Sequence, residues 1–115
     1  MMKRRRREKK AVNFTLREEA LRPSRKLGYN HDSMGLYLME REAYAIAESE
    51  FRRAMWLNPD ELSFQVHLAW CFSKQGNLPE ALKLIDQVLM LNPDYAEAES
   101  IGTIIFRKNK DKSDP

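Results

Sequence analysis

Two histidines, His31 and His67, and one cysteine, Cys71, are the side chains best able to move protons or act as nucleophiles near neutral pH. Such chemistry needs the attacking group fixed within hydrogen-bond reach of a base, and the spacing fixes no serine or cysteine nucleophile beside either histidine. The carboxylates Glu48, Glu50 and Glu61 have no distinguishing partner in the sequence and read as solvated helix faces. No glycine-rich phosphate loop and no metal-ligand spacing occurs. A sole cysteine allows neither an intramolecular disulfide nor a cysteine-based zinc site, and between Trp70 and Phe72 it reads as a small apolar core residue. These residues predict no catalytic site, metal or cofactor, and hence no enzyme.

Composition agrees with a binding or structural role. A chain of 115 residues with 43% hydrophobic and 32% charged residues is one globular domain with apolar content sufficient for a single core. Charge is placed unevenly: residues 1–10, MMKRRRREKK, carry seven basic side chains and one acidic, while the whole chain is only +3. The remainder is therefore slightly acidic, and a basic tail sets the overall balance. Apolar runs fall short of the roughly 20 residues of a membrane span, and the basic start leads into Asn13-Phe14-Thr15-Leu16 rather than an apolar leader. A cytoplasmic chain is expected.

The tetrapeptide Leu-Asn-Pro-Asp occurs at Leu57–Asp60 and again at Leu91–Asp94, and its surroundings recur at the same 34-residue offset. Met34 matches Leu68, Gly35 matches Ala69, Leu38 matches Phe72, Ala47 matches Ala81, Phe51 matches Ile85 and Ala54 matches Val88. Within each frame apolar residues are spaced by three and four, the period of a helix face. Each frame is thus a pair of helices, broken near residues 41–44 in the first and at Gly76-Asn77 in the second. Gly76 suits a left-handed helix end, Asn77 a cap, and Pro79 the first turn of the helix that follows, with Glu80 in capping-box position. Pro59 and Pro93 push Asn58 and Asn92 out of helical geometry, and Asp60 and Asp94 are then placed to cap the next helix.

These residues resemble the tetratricopeptide repeat, whose 34-residue helix-turn-helix unit prefers an aromatic residue, then large, small and large residues on the first helix, then alanine, a large residue, alanine and proline on the second. His31, Met34, Gly35, Leu38, Ala47, Phe51, Ala54 and Pro59 occupy those places in the first frame. Gln65, Leu68, Ala69, Phe72, Ala81, Ile85, Val88 and Pro93 do so in the second. Departures are His31 and Gln65 at the aromatic place, Glu42-Ala43 at the turn glycine and Val88 for alanine. A third frame slips by one residue, so that Ala98, Ile101, Gly102 and Ile105 supply only a first helix. The expected architecture is an all-α solenoid of antiparallel helical hairpins. Its parts are a basic disordered tail (1–10), a short helical or loose lead-in (11–27), repeats over 28–61 and 62–94, a closing helix over 95–108 and a disordered tail (109–115).

What the resemblance implies about function is an adaptor or scaffold, whose first helices line a concave groove that receives a peptide or helix of a partner protein. By repeat position the partner-binding residues would be Tyr29, Leu36, Met39, Val66, His67, Trp70 and Lys74. Trp70 is the most attractive of these, because a tryptophan offers a large contact area. Trp56 is expected to pack between repeats. Relatives that hold a chaperone's C-terminal carboxylate use lysine, asparagine and arginine where this chain has Asp32, Leu36, His67, Ala96 and Ser100, which argues against that ligand. Two further readings stay open. Residues 1–10 could attract nucleic acid or an anionic membrane surface, and the open end of the array, with Ile104 or Phe106, could pair with another copy as a homo-oligomer.

Overall fold

The structure is a computed structural model that describes residues 25–113. The basic tail and most of the lead-in segment, residues 1–24, lie outside the described residues. Among the described residues five helices follow one another: α1 (Arg25–Glu40), α2 (Tyr44–Leu57), α3 (Leu62–Lys74), α4 (Leu78–Leu91) and α5 (Ala96–Ser113). Helices α1 and α2 form one hairpin, α3 and α4 the next, and α5 packs on α4; α1 also touches α3, and α3 touches α5. The first helices of successive hairpins are therefore neighbours, as the all-α repeat solenoid requires. Among the described residues there is no strand, and no helix is long and apolar enough to cross a membrane.

Both boundaries of the array differ from the expected ones. The first helix begins at Arg25, so the end of the 11–27 lead-in belongs to α1. The closing helix runs to Ser113 and takes in most of the 109–115 tail. Lys108 and Lys110 are good helix formers near a C-terminal end where cations face the negative end of the helix dipole, so a polar composition did not mark a helix stop.

The turns repeat bond for bond. In the first hairpin Ala43 N–H donates to Leu38 O and Glu42 N–H to Met39 O, at 2.9 and 3.0 Å. One repeat later Asn77 N–H donates to Phe72 O and Gly76 N–H to Ser73 O, at 2.9 and 3.1 Å. This is the Schellman ending, which requires a left-handed residue. Gly76 takes it with φ 83°, and in the first hairpin Glu42 takes it with φ 61° although it carries a Cβ.

The Leu-Asn-Pro-Asp segments likewise share their bonds: Asn58 N–H closes α2 on Ala54 O and Asn92 N–H closes α4 on Val88 O, at 2.9 and 2.8 Å. Both asparagines lie outside helical geometry, with ψ 78° and 90°, as a following proline dictates. Capping differs from expectation. Glu61, not Asp60, precedes α3, and neither Glu61 nor Asn77 makes a side-chain cap bond. Asp94 stands before Tyr95, its N–H bonded to Asn92 Oδ1 at 3.3 Å. The turns after proline are closed by backbone bonds from Glu61 to Asn58 O and Tyr95 to Asn92 O, and these move the helix starts past the aspartates.

The core is continuous along the stack. Phe51, Phe64, Val66, Leu68, Ile85, Val88 and Ile105 are fully buried or nearly so. Gly35 marks the close crossing of α1 on α2, since a Cβ there would run into the Phe51 ring, 2.7 Å from Cδ1. Two apolar residues expected inside are outside. Trp56, assigned to packing between repeats, is 55% exposed, and Met34, the counterpart of buried Leu68, is 49% exposed. Met34 lies on the first helix of the array, with no earlier repeat among the described residues to cover it.

Candidate functional site

Because α1, α3 and α5 are neighbours, side chains from three different repeats meet on one face. His67 stands at its centre. Its Nδ1 lies 2.7 Å from Asp32 Oδ1 of α1, and its Nε2 lies 3.3 Å from Glu97 Oε1 of α5. The ring also packs against Phe51, with centroids 5.8 Å apart. Burial pushes the His67 pKa down, but the Asp32 and Glu97 carboxylates outweigh it and hold it above the ordinary histidine value. In the imidazolium form both ring nitrogens donate, so His67 ties all three first helices together.

The start of α3 carries a second polar group. Tyr29 of α1 donates its hydroxyl to Glu61 Oε2, and its ring meets Phe64 edge-on at 5.1 Å. Ser63 Oγ donates to Glu61 Oε1 at 3.1 Å. The Tyr29 hydroxyl is the main cause of a Glu61 pKa below the usual carboxylate range; burial opposes it and Ser63 assists. Nearby, burial and the Glu97 and Glu61 carboxylates push the Tyr95 phenol up. This end of the face is acidic.

The other end of α3 is aromatic and basic. Trp70 is half-buried, and two ammonium groups sit over its ring: Lys74 Nζ from α3 at 4.9 Å and Lys108 Nζ from α5 at 5.8 Å. A cation over an indole face is attracted to the ring's negative quadrupole. From Glu61 to Lys74 the face thus changes from carboxylates to ammonium groups along the length of α3, roughly 20 Å at the helical rise.

Of the residues assigned to partner contact, Trp70 and Lys74 stand together, and Leu36 is exposed on α1. Tyr29 is exposed but its hydroxyl is engaged with Glu61. His67 is mostly occupied by its two carboxylates. Two assignments are corrected: Val66 is fully buried and Met39 is 9% exposed, so both belong to the core between helices rather than to a surface. Each was placed one helical position too far outward by a frame that fixed which helix a residue occupies more sharply than its rotation. Sequence reasoning missed Lys108, because the helix was ended there, and missed the pairing of Asp32 with His67. The signal for that pair was an offset of 35, one residue more than the repeat.

Cys71 follows His67 by one helical turn, yet its Sγ donates to the carbonyl oxygen of Tyr44 at 3.2 Å. Burial, and then the Glu48 carboxylate, push its pKa up to about 11, so the thiol is protonated and poorly nucleophilic at neutral pH. His31 is bound to Glu50 at 2.6 Å within the first hairpin, where Glu50 also accepts from Arg53. Among the described residues no group of three or more His, Cys, Asp or Glu side chains is arranged to hold a metal ion.

Comparison with known proteins returned no match among curated sequences. A tetratricopeptide repeat family model matches residues 38–101, from the end of α1 to the first half of α5. That span is more than half of the chain and takes in both Leu-Asn-Pro-Asp segments and both Schellman turns; the chain belongs to the tetratricopeptide repeat family.

Proposed function

We propose that this chain is a non-enzymatic adaptor that holds a segment of a partner protein on the concave face formed by α1, α3 and α5. Tetratricopeptide repeats are in general protein-interaction modules, which supports the class of function. The observation that carries the finer reading is Trp70, half-buried at the basic end of that face with Lys74 and Lys108 over its ring. A partner segment that brings an apolar or aromatic side chain to the indole and a carboxylate to the two ammonium groups would match both features at once. Leu36 extends the apolar surface onto α1, and the acidic end near Glu61 sets the direction in which a polar segment lies.

The test is affinity capture from a native cell extract with four forms: wild type, Trp70→Ala, the surface pair Lys74→Glu/Lys108→Glu, and a chain lacking residues 1–10. A protein retained by wild type and by the tail-less form, and lost with both groove variants, is the expected result. The lysine pair is exposed, so its loss of capture does not depend on any unfolding caused by removing Trp70. Capture that follows residues 1–10 and falls away in salt would reject the groove and assign binding to the basic tail.

A further inference from the structure

Among the described residues the same cleft occurs twice in the stack, closed once and open once. Between α2 and α3 it is formed by Arg52, Met55, Leu68 and Phe72, and α4 closes it with Glu80, Lys83, Leu84 and Gln87, leaving about 210 Å³. One repeat later Asp86, Leu89, Gly102 and Phe106, each 34 residues on, form its counterpart between α4 and α5, and the space is about 540 Å³. The one-residue slip expected of the third frame does not occur, since the helix starts Leu62 and Ala96 keep the same offset. Closure decides exposure: Phe72 is 7% exposed, and its counterpart Phe106 is 61% exposed. The open cleft has the shape of a missing helix antiparallel to α5, as α4 is antiparallel to α3.

Helix α5 itself has the pattern needed to fill it. The closing residues of α4 are spaced i, i+3, i+4, i+7, and Glu99, Gly102, Thr103 and Phe106 of α5 repeat that spacing along its cleft side. The charge requirement has also changed. Where the closed cleft has Arg52 on one wall and Glu80 on the closing helix, the open one has Asp86, so its occupant should bring cations. Apart from Lys108 and Glu97, which are engaged with Trp70 and His67, α5 carries Arg107 and Lys110 in its second half and Glu99 in its first turn. Such a helix is complementary to itself when two copies run antiparallel.

We propose that the open cleft is closed by α5 of a second copy of this chain, in a twofold dimer whose axis passes near Thr103–Phe106. Phe106 of each copy then packs over Thr103 and Gly102 of the other, and Lys110 of each faces Glu99 of the other. Such an interface is isologous: every contact occurs twice. It lies on the flank of α5 towards α4, away from the Trp70 side, so pairing leaves the proposed groove open.

The experiment is the mass of the full chain in solution as a function of concentration, by sedimentation or light scattering. Wild type is expected to change from monomer to dimer, and Phe106→Glu to weaken association at least about tenfold. Glu99→Lys and Lys110→Glu should each weaken it several-fold, and the double swap should recover it, because the pair is only exchanged across the axis. Helical content by circular dichroism confirms that these exposed substitutions leave the fold intact. A wild-type chain that stays monomeric overturns the proposal and leaves the cleft to a helix of another protein. A dimer indifferent to Phe106→Glu, or a double swap that fails to recover association, overturns the antiparallel α5 pairing.

Discussion

His67 stabilises the fold most while it is charged. Burial alone would depress its pKa, yet Asp32 and Glu97 raise it above the value of 6.5 that an unperturbed histidine takes. A group whose pKa is higher folded than unfolded stabilises the fold fully below the unfolded value, and that stabilisation is lost as pH rises through the folded value. Denaturant titrations from about pH 6 to about pH 9 should therefore show stability falling with pH, and His67→Gln should flatten the dependence. If wild type and variant fall in parallel, some other group is responsible. The sequence showed that His67 lies on a first helix beside α1 and α5. It did not show the contact, because a repeat frame gives which helices meet, whereas a hydrogen bond depends on a rotation of one residue.

The turns show the same limit at the scale of the elements. Gly76 announces its left-handed geometry by residue type, but Glu42 adopts it with no such sign, because the hairpin requires the turn whatever residue fills it. The left-handed conformation costs a residue with a Cβ about 1 kcal/mol more than it costs glycine. Glu42→Gly is thus expected to stabilise the chain by about 1 kcal/mol in chemical denaturation, less whatever the freer unfolded chain takes back. An unchanged or lower midpoint would mean that the Glu42 backbone is not strained. Proline stops and apolar periods were legible because each acts within a few residues. The caps at Asp60 and Asp94 were misplaced because the turn after proline uses an extra residue that periodicity does not reveal.

Over the described array, stability is shared between neighbours, and α5 is its last helix. Its Gly102 packs close against Ile85 on α4, Glu97 reaches His67 and Lys108 lies over Trp70. Removal of residues 96–115 would expose an apolar face, and its cost is expected to be about 3 kcal/mol or more, with a broader and lower thermal transition by circular dichroism. An unchanged melt would show that the two hairpins are self-sufficient. The solenoid was legible as a whole since only stacking can bury a face that recurs every 34 residues. Exposure at the ends was not, because Met34 and Phe106 look like their buried counterparts and differ in having no adjoining repeat among the described residues.

The backbone bonds of the two repeats coincide at a constant offset, whereas the polar ties do not: Asp32 to His67 spans 35 residues and His67 to Glu97 spans 30. A chain that folded with one hairpin skipped or exchanged would keep every turn and every helix stop. With the second hairpin skipped it would place Ile101, one repeat on from His67, opposite the Asp32 carboxylate that needs an imidazole. The three-residue tie therefore works as an address, distinguishing the correct order of near-identical units from the misassembled orders that a purely apolar interface would tolerate.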